Sequence, residues 1–244
     1  MVFASAKVAI VAALEREVRL LIERWQVSER EHEGRKFKFF ENDRVVLVCG
    51  GMGAEAARRA CEAVIALYQP SVVVSAGFAG ALQPQLSVGS TLTPRIVVDA
   101  SDGSRTDTGE GSGVLVSLDS VASPERKAKL AKAWGGQAVD MEAAAVARGA
   151  EARGVHFRAI KVISDASDFA MPPMERFIHP NGQFQAASFI FYVALRPWLW
   201  GKVRELARNS ARASTMLCQQ LEQFNHRQVD DIELGLHPMG GTKL

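Results

Sequence analysis

Short, uninterrupted apolar runs along the chain alternate with longer stretches in which apolar side chains recur every third or fourth position, as strands and helices in succession require. Lys7 to Ala12, rich in Val and Ile, predicts a strand, and Leu14 to Ile22 carries its apolar positions at helical spacing. Lys36 to Phe40 and Val45 to Cys49 flank the turn-like pair Asn42-Asp43 and predict a hairpin. Gly50-Gly51-Met52-Gly53 opens a helix from Ala54 to Leu67 that Pro70 stops, and Ser71 to Ala76 predicts a buried strand leading into a small-residue loop, Gly77-Phe78-Ala79-Gly80-Ala81. Val88 to Val98 reads as a strand with Pro94 inside it, hence at an edge or a bulge. Ser101 to Gly113 is a polar, glycine-rich loop, Val114 to Leu118 a strand, and Ser123-Pro124-Glu125 the start of a helix reaching Trp134.

Two acidic clusters then stand at strand ends. A short apolar run enters Asp140, an Ala-rich helix follows from Glu142 to Arg153, and a second apolar run, Phe157 to Ile163, enters Asp165. A strand, helix, strand unit of this kind predicts parallel strands with both clusters at one carboxyl edge, where α/β proteins hold ligands. Beyond Asp165, residues 169–182 contain the adjacent pair Pro172-Pro173, which prevents a regular helix and makes the segment a candidate lid. Phe184 to Leu195 and Leu199 to Phe224 predict helices separated near Pro197, with a polar tail from residue 226 to 244.

Composition narrows the class. With 244 residues, 48% of them hydrophobic and 23% charged, the chain can bury one large core, expected as a single domain over residues 1–225. A formal net charge of +2, without clustered basic residues in the core region, excludes nucleic acid as the expected partner. Cys49, Cys61 and Cys218 are odd in number and far apart, as expected of reduced thiols in a cytoplasmic protein. The N-terminal apolar run is too short for a secretory signal, and no stretch reaches the about eighteen apolar residues of a membrane span. No metal or cofactor is expected.

Five motifs occur in order: Ala-Leu-Glu-Arg-Glu-Val, Gly-Gly-Met-Gly-Ala, Ser-Ala-Gly-Phe-Ala-Gly-Ala-Leu, Val-Asp-Met-Glu-Ala and Ile-Ser-Asp. Over residues 7–168 this order resembles the purine nucleoside phosphorylase and methylthioadenosine/S-adenosylhomocysteine nucleosidase superfamily. The resemblance implies a three-layer α/β/α fold around a mixed, partly barrel-like sheet, cleavage of a base–ribose bond, and a homo-oligomer. The Pro-rich segment and Arg196-Pro197-Trp198-Leu199-Trp200 also resemble relatives associated with hopanoid synthesis, in which an adenosyl group on a hopane loses its adenine.

Such cleavage needs a proton at purine N7 and stabilisation of positive charge on the sugar. The resemblance assigns the proton to Asp165, the ribose hydroxyls to Glu142, sugar packing to Met141 and activation of water to Glu17, with Glu15 facing elsewhere. Gly53, Gly77, Phe78, Val121 and Phe169 join these as candidate substrate contacts, while Asp140 also fits a helix cap.

The chain departs from the family at several of these positions. Ser75 and Phe78 stand where phosphorylases keep an arginine and a serine for phosphate, which favours water as the nucleophile; Arg58, Arg95 and Arg105 are candidate replacements. Val121 stands where nucleosidases keep a stacking aromatic, leaving Phe169 to cover the base. A short segment between Val98 and Val114 opens the 5′ side of the sugar to a large substituent. Trp198 and Trp200 among cationic residues suit a membrane surface or a lipid-linked substrate, or else a packed helix or subunit contact. Hydrolysis of an adenosine-like nucleoside is the leading expectation, with a phosphate-dependent phosphorylase and a non-catalytic nucleoside-binding protein as alternatives.

Overall fold

The computed structural model describes residues 8–179 and 182–233, with side chains described as far as residue 226. One mixed sheet is built from β1 (Val8–Ala12), β2 (Gln26–His32), β3 (Arg35–Glu41), β4 (Val45–Cys49), β5 (Val72–Ala81), β6 (Thr91–Leu92), β7 (Ile96–Asp99), β8 (Arg105–Asp107), β9 (Val114–Ser117), β10 (Ala138–Asp140) and β11 (His156–Asp165). The helices are α1 (Glu15–Ile22), α2 (Ala54–Tyr68), α3 (Pro124–Trp134), α4 (Ala143–Glu151), α5 (Ala186–Ala194) and α6 (Pro197–Glu233).

Alternation along the central strands divides the core into two layers. Ala9 and Val11 of β1, with Val46 and Val48 of β4, face α2 and α4, whose alanines let helix and sheet approach closely. Val8, Ile10, Val45 and Leu47 face α1 and the buried stripe Ala213, Leu217, Cys218 and Leu221 of α6. Strands buried on both faces read as continuous apolar runs, which is why these were visible in the sequence. The result is a three-layer α/β/α fold around a mixed sheet.

The small-residue run 77–81 is a strand, not a loop: β5 continues through it to Ala81. Its neighbours change on the way. Val72 to Ser75 pair in parallel with β1, whereas Gly80 and Ala81 pair antiparallel with β10. On its other side β5 pairs in parallel with β11 throughout. The strand, helix, strand unit therefore does not have the expected geometry: β10 and β11 run antiparallel on opposite sides of β5. The acids still meet, because the short β10 ends beside the middle of β5 and a bulge between Ile163 and Asp165 brings Asp165 opposite Gly80.

Other boundaries differ for local reasons. Pro94, lacking an N–H, separates β6 from β7, so the strand expected over Val88–Val98 is two short pieces. The loop expected from Ser101 to Gly113 contains β8, which pairs with β7. The mostly exposed, polar β2 carries too little alternation to show in the sequence, yet it pairs along its whole length with β3. Helix α6 begins at Pro197 and runs on to Glu233, past the expected end at Phe224 and into the region read as a polar tail; the tail beyond 233 lies outside the described residues.

Gly80 and Gly201 provide an internal contrast. A Cβ on Gly80 would lie 2.8 Å from Asp165 Oδ2 and 3.3 Å from Lys127 Nζ, both buried, so Gly80→Ala is expected to lower stability by about 1–3 kcal/mol. A Cβ on Gly201 in α6 meets nothing within 4 Å, and Gly201→Ala is expected to raise stability by about 0.5–1 kcal/mol. Urea denaturation of both variants measures the contrast; equal effects would contradict the close approach at Gly80.

Candidate functional site

A cavity of about 690 Å³ opens where β5 leaves β1 for β10, and Phe78, Ala79 and Gly80 contribute to its lining. Sheets that change strand partner leave a crevice of this kind. Glu17, Asp140, Met141, Glu142 and Asp165 all line it, so α1, the β10–α4 junction and the end of β11 converge on one space.

Each acid is held differently. Asp140 is buried and accepts hydrogen bonds from Ser117 Oγ at 2.6 Å, from the Ala143 amide at the start of α4 at 2.9 Å and from Lys161 Nζ at 2.8 Å. It caps α4 and neutralises a buried lysine. Glu142 accepts from the Gly53 amide at 2.8 Å and from the Met141 amide at 3.2 Å. The Gly-rich loop before α2 thus serves an anion, and that anion is a carboxylate of the chain itself. Burial, reinforced by the charge of Asp140 and opposed by Lys161, raises the Glu142 carboxyl above its ordinary range.

Glu17 sits at the first turn of α1 and is buried, and among the described residues its Oε2 has no hydrogen-bond partner. Desolvation first, and the charge of Glu142 second, push its pKa up to about 8, against the pull of Lys161. Ser214 of α6 donates to the Glu17 carbonyl at 3.0 Å and pins that turn. Glu15 lies outside the cavity, paired with Lys38 at 3.0 Å on the surface. Gly77 makes room for the group: a Cβ there would stand 3.1 Å from Glu17 Oε2 and 3.8 Å from Lys161 Nζ.

Asp165 accepts from Ser164 Oγ at 2.7 Å through Oδ1 and from Lys127 Nζ at 2.5 Å through Oδ2. Lys127 is 2% exposed and comes from α3, where it shares the buried face with Leu130. Sequence reasoning missed it. The available signal was a lysine three positions before Leu130 on an otherwise polar helix, a place where an apolar residue belongs.

The upper walls are apolar and partly aromatic. Val121 lines the cavity as expected, but Phe169 does not; Phe184 and Phe189 do, with ring centroids 5.5 Å apart. Both rings come from beyond the Pro-rich segment, whose backbone turns back to the site. That segment is tied down at its middle and its end: the Val121 amide donates to Glu175 Oε1 at 2.7 Å, and the Met52 amide to the Gly182 carbonyl at 2.8 Å. Met171, Met174, Phe177, Phe189 and Val193 make a separate small core that holds this strap against α5.

The arginines considered as phosphate ligands are elsewhere. Arg58 pairs with Glu55 and Glu62 along α2, Arg95 with Asp107, and Arg105 lies over the Trp134 ring. Arg16 and Arg19 reach the cavity instead, Arg16 with its guanidinium 5.6 Å from the Phe184 ring centre. Among the described residues no group of three or more His, Cys, Asp or Glu side chains is arranged to hold a metal ion. No described helix is long and apolar enough to cross a membrane.

Known structures share this architecture. Futalosine hydrolase of Helicobacter pylori superimposes with a TM-score of 0.63 at 20% identity, over 90% of this chain and 98% of its own. The 5′-methylthioadenosine/S-adenosylhomocysteine nucleosidase of Neisseria meningitidis, in complex with methylthio-immucillin-A, gives 0.60 at 24% identity, over 87% and 98%. The Helicobacter pylori nucleosidase of the same kind gives 0.64 at 19% identity, over 90% and 99%. At these identities the likeness concerns the fold. No curated protein matches the chain. The family model described as the phosphorylase superfamily matches residues 7–118 and 111–183, and with that match spanning the sheet, the acids and the strap, the chain belongs to the phosphorylase superfamily.

Proposed function

We propose that the protein hydrolyses the base–ribose bond of an adenosine-like purine nucleoside bearing a large apolar 5′ substituent. The observation that carries this reading is the polarity gradient of one cavity. Four carboxylates stand together at the partner change of β5, while the walls toward α5 and α6 are Phe184, Phe189, Ile190, Val203 and Leu206. The nucleosidase and futalosine hydrolase folds among its structural neighbours support the same chemistry.

In this mechanism the ribose lies over Met141, and Glu142, fixed by the Gly53 amide, accepts its hydroxyl hydrogens. As the C1′–N9 bond lengthens, charge on the sugar is met by Glu142, and the base takes a proton at N7 from the Asp165 end of the site. Water attacks C1′ and gives up its proton to Glu17. The apolar substituent runs past the Phe184 and Phe189 rings toward the mouth, where Leu20 and Ile190 are 56% and 67% exposed. Phe191, Leu195, Trp198 and Trp200 continue this exposed apolar surface along α5 and α6, as a lipid-linked substrate presented at a membrane surface requires. This exposed surface supports kinship with the hopanoid-associated relatives as part of the proposal.

Base release from 5′-alkyl-5′-deoxyadenosines is expected without added phosphate, with kcat/KM rising about three- to fourfold for each methylene that becomes buried. Following free adenine with and without phosphate checks both points. A strict phosphate requirement would make the protein a phosphorylase, and inertness toward every nucleoside tried would leave only binding.

Asp165→Asn is expected to lower kcat by about 10²–10⁴-fold with the protein still folded by circular dichroism. Full activity in that variant would remove Asp165 from the mechanism.

Glu17 predicts the pH dependence. Its pKa is raised to about 8, so in the free enzyme the proton-accepting carboxylate is the minor form at neutrality and becomes the major form only above that pH. The profile of kcat/KM should therefore climb about tenfold per pH unit on the acid side and level off near 8, and Glu17→Gln should lose that limb. A flat wild-type profile between pH 6 and 9 would exclude Glu17 as the base.

A further inference from the structure

We infer that Lys127 is the proton source of the reaction, supplying through Asp165 the hydrogen that the departing base takes at N7. The inference rests on the nucleosidase reading above and adds a residue to it.

The argument begins with hydrogen-bond capacity. Both oxygens of Asp165 accept, Oδ1 from Ser164 and Oδ2 from Lys127, so the resting group is a carboxylate with no proton to donate. An ionised carboxylate beside a purine that is gaining negative charge would oppose cleavage. The available protons are on the lysine. Lys127 Nζ donates to Asp165 Oδ2 and, at 2.6 Å, to the Ala166 carbonyl, and Lys127 lines the cavity. An ammonium can hand over a proton that a guanidinium in the same place would keep. The pair is built in: Gly80 leaves the space it fills, and the bulge in β11 brings Asp165 opposite that glycine.

The step balances. The C1′–N9 electron pair passes to the base, N7 takes a proton from Asp165 Oδ2, and Oδ2 takes one from Lys127 Nζ. The base leaves neutral, the sugar gains the hydroxyl of water, and the other proton of that water goes to Glu17. Solvent then returns it to Lys127 once the base has left, so nothing beyond substrate and water is consumed.

Lys127→Arg tests the idea, because it keeps the cation beside Asp165 and removes the transferable proton. The paired probes are a 5′-alkyl-5′-deoxyadenosine and its N7-methylated cation, which already carries the charge that protonation would supply. With the neutral nucleoside, kcat should fall about 10²–10³-fold; with the cation it should stay within about threefold of wild type. Lys127→Met, which also removes the transferable proton, should show the same selectivity between the two probes. Equal losses on both probes would make the pair structural, and no loss on the neutral nucleoside would exclude Lys127; either result overturns the inference. If wild-type protein cleaves neither probe, with or without phosphate, the nucleosidase reading itself fails and the inference falls with it. If Lys127→Met does not fold, Lys127→Arg decides alone.

Discussion

Two buried lysines cross β5, and the rest of the site follows from where they are allowed to pass. Lys161 reaches Asp140 from the other side of the strand, and Lys127 reaches Asp165; each ammonium is almost fully withdrawn from water. A buried cation left unpaired costs several kcal/mol, on the order of 3–5 when one partner is removed, so each pairing must be met within the fold. Meeting it requires space beside the β5 backbone, and the glycines at 77 and 80 are where that space occurs. The change of partner from β1 to β10 opens the sheet at the same stretch, so cavity and charges share one cause.

The charge balance then sets the roles of the acids. Two ammonium groups stand among four carboxylates, and Asp140 and Asp165 take the direct ion pairs. Glu17 and Glu142 are left with weaker compensation, backbone amides for Glu142 and, for Glu17, the pull of Lys161 and Arg16 with the backbone at Leu14. Those are the carboxyls whose proton affinity is raised. A carboxyl with a pKa near 8, as for Glu17, changes protonation state easily around neutrality. The ion pairs are therefore a scaffold for unequal carboxyls as much as a source of cohesion, since a buried pair by itself is weak evidence for stability.

How much of this was legible in the sequence depends on the range of the interaction involved. Asp140, Glu142 and Asp165 stood out because they stand at or just past the ends of apolar runs, and Glu17 only through the resemblance of Ala-Leu-Glu-Arg-Glu-Val to a family motif. The direction of β10 was not legible: three residues carry no orientation, and only pairing with Gly80 and Ala81 fixes it. The run 77–81 read as a loop because glycine and alanine mark loops locally, while here they make room for side chains arriving from other strands and from α3. The rings of Phe184 and Phe189 were missed because they reach the cavity across tertiary contacts that leave no periodic trace, and Lys127 because its spacing to Leu130 marks a buried face without saying what it meets.

The strap explains how a charged floor and apolar walls coexist in one cavity. The Met52 amide holds the Gly182 carbonyl and the Val121 amide holds the Glu175 carboxylate, so polar bonds fix the strap's position as well as the apolar contacts beneath it. Its own small core with α5 fixes Phe189, while Phe184 bridges to Ile178 just ahead of the helix. The rings thereby line the same cavity as the four acids. Floor and wall are therefore built by separate means, ion pairs and backbone amides holding the acids and a strap with its own small core holding the rings.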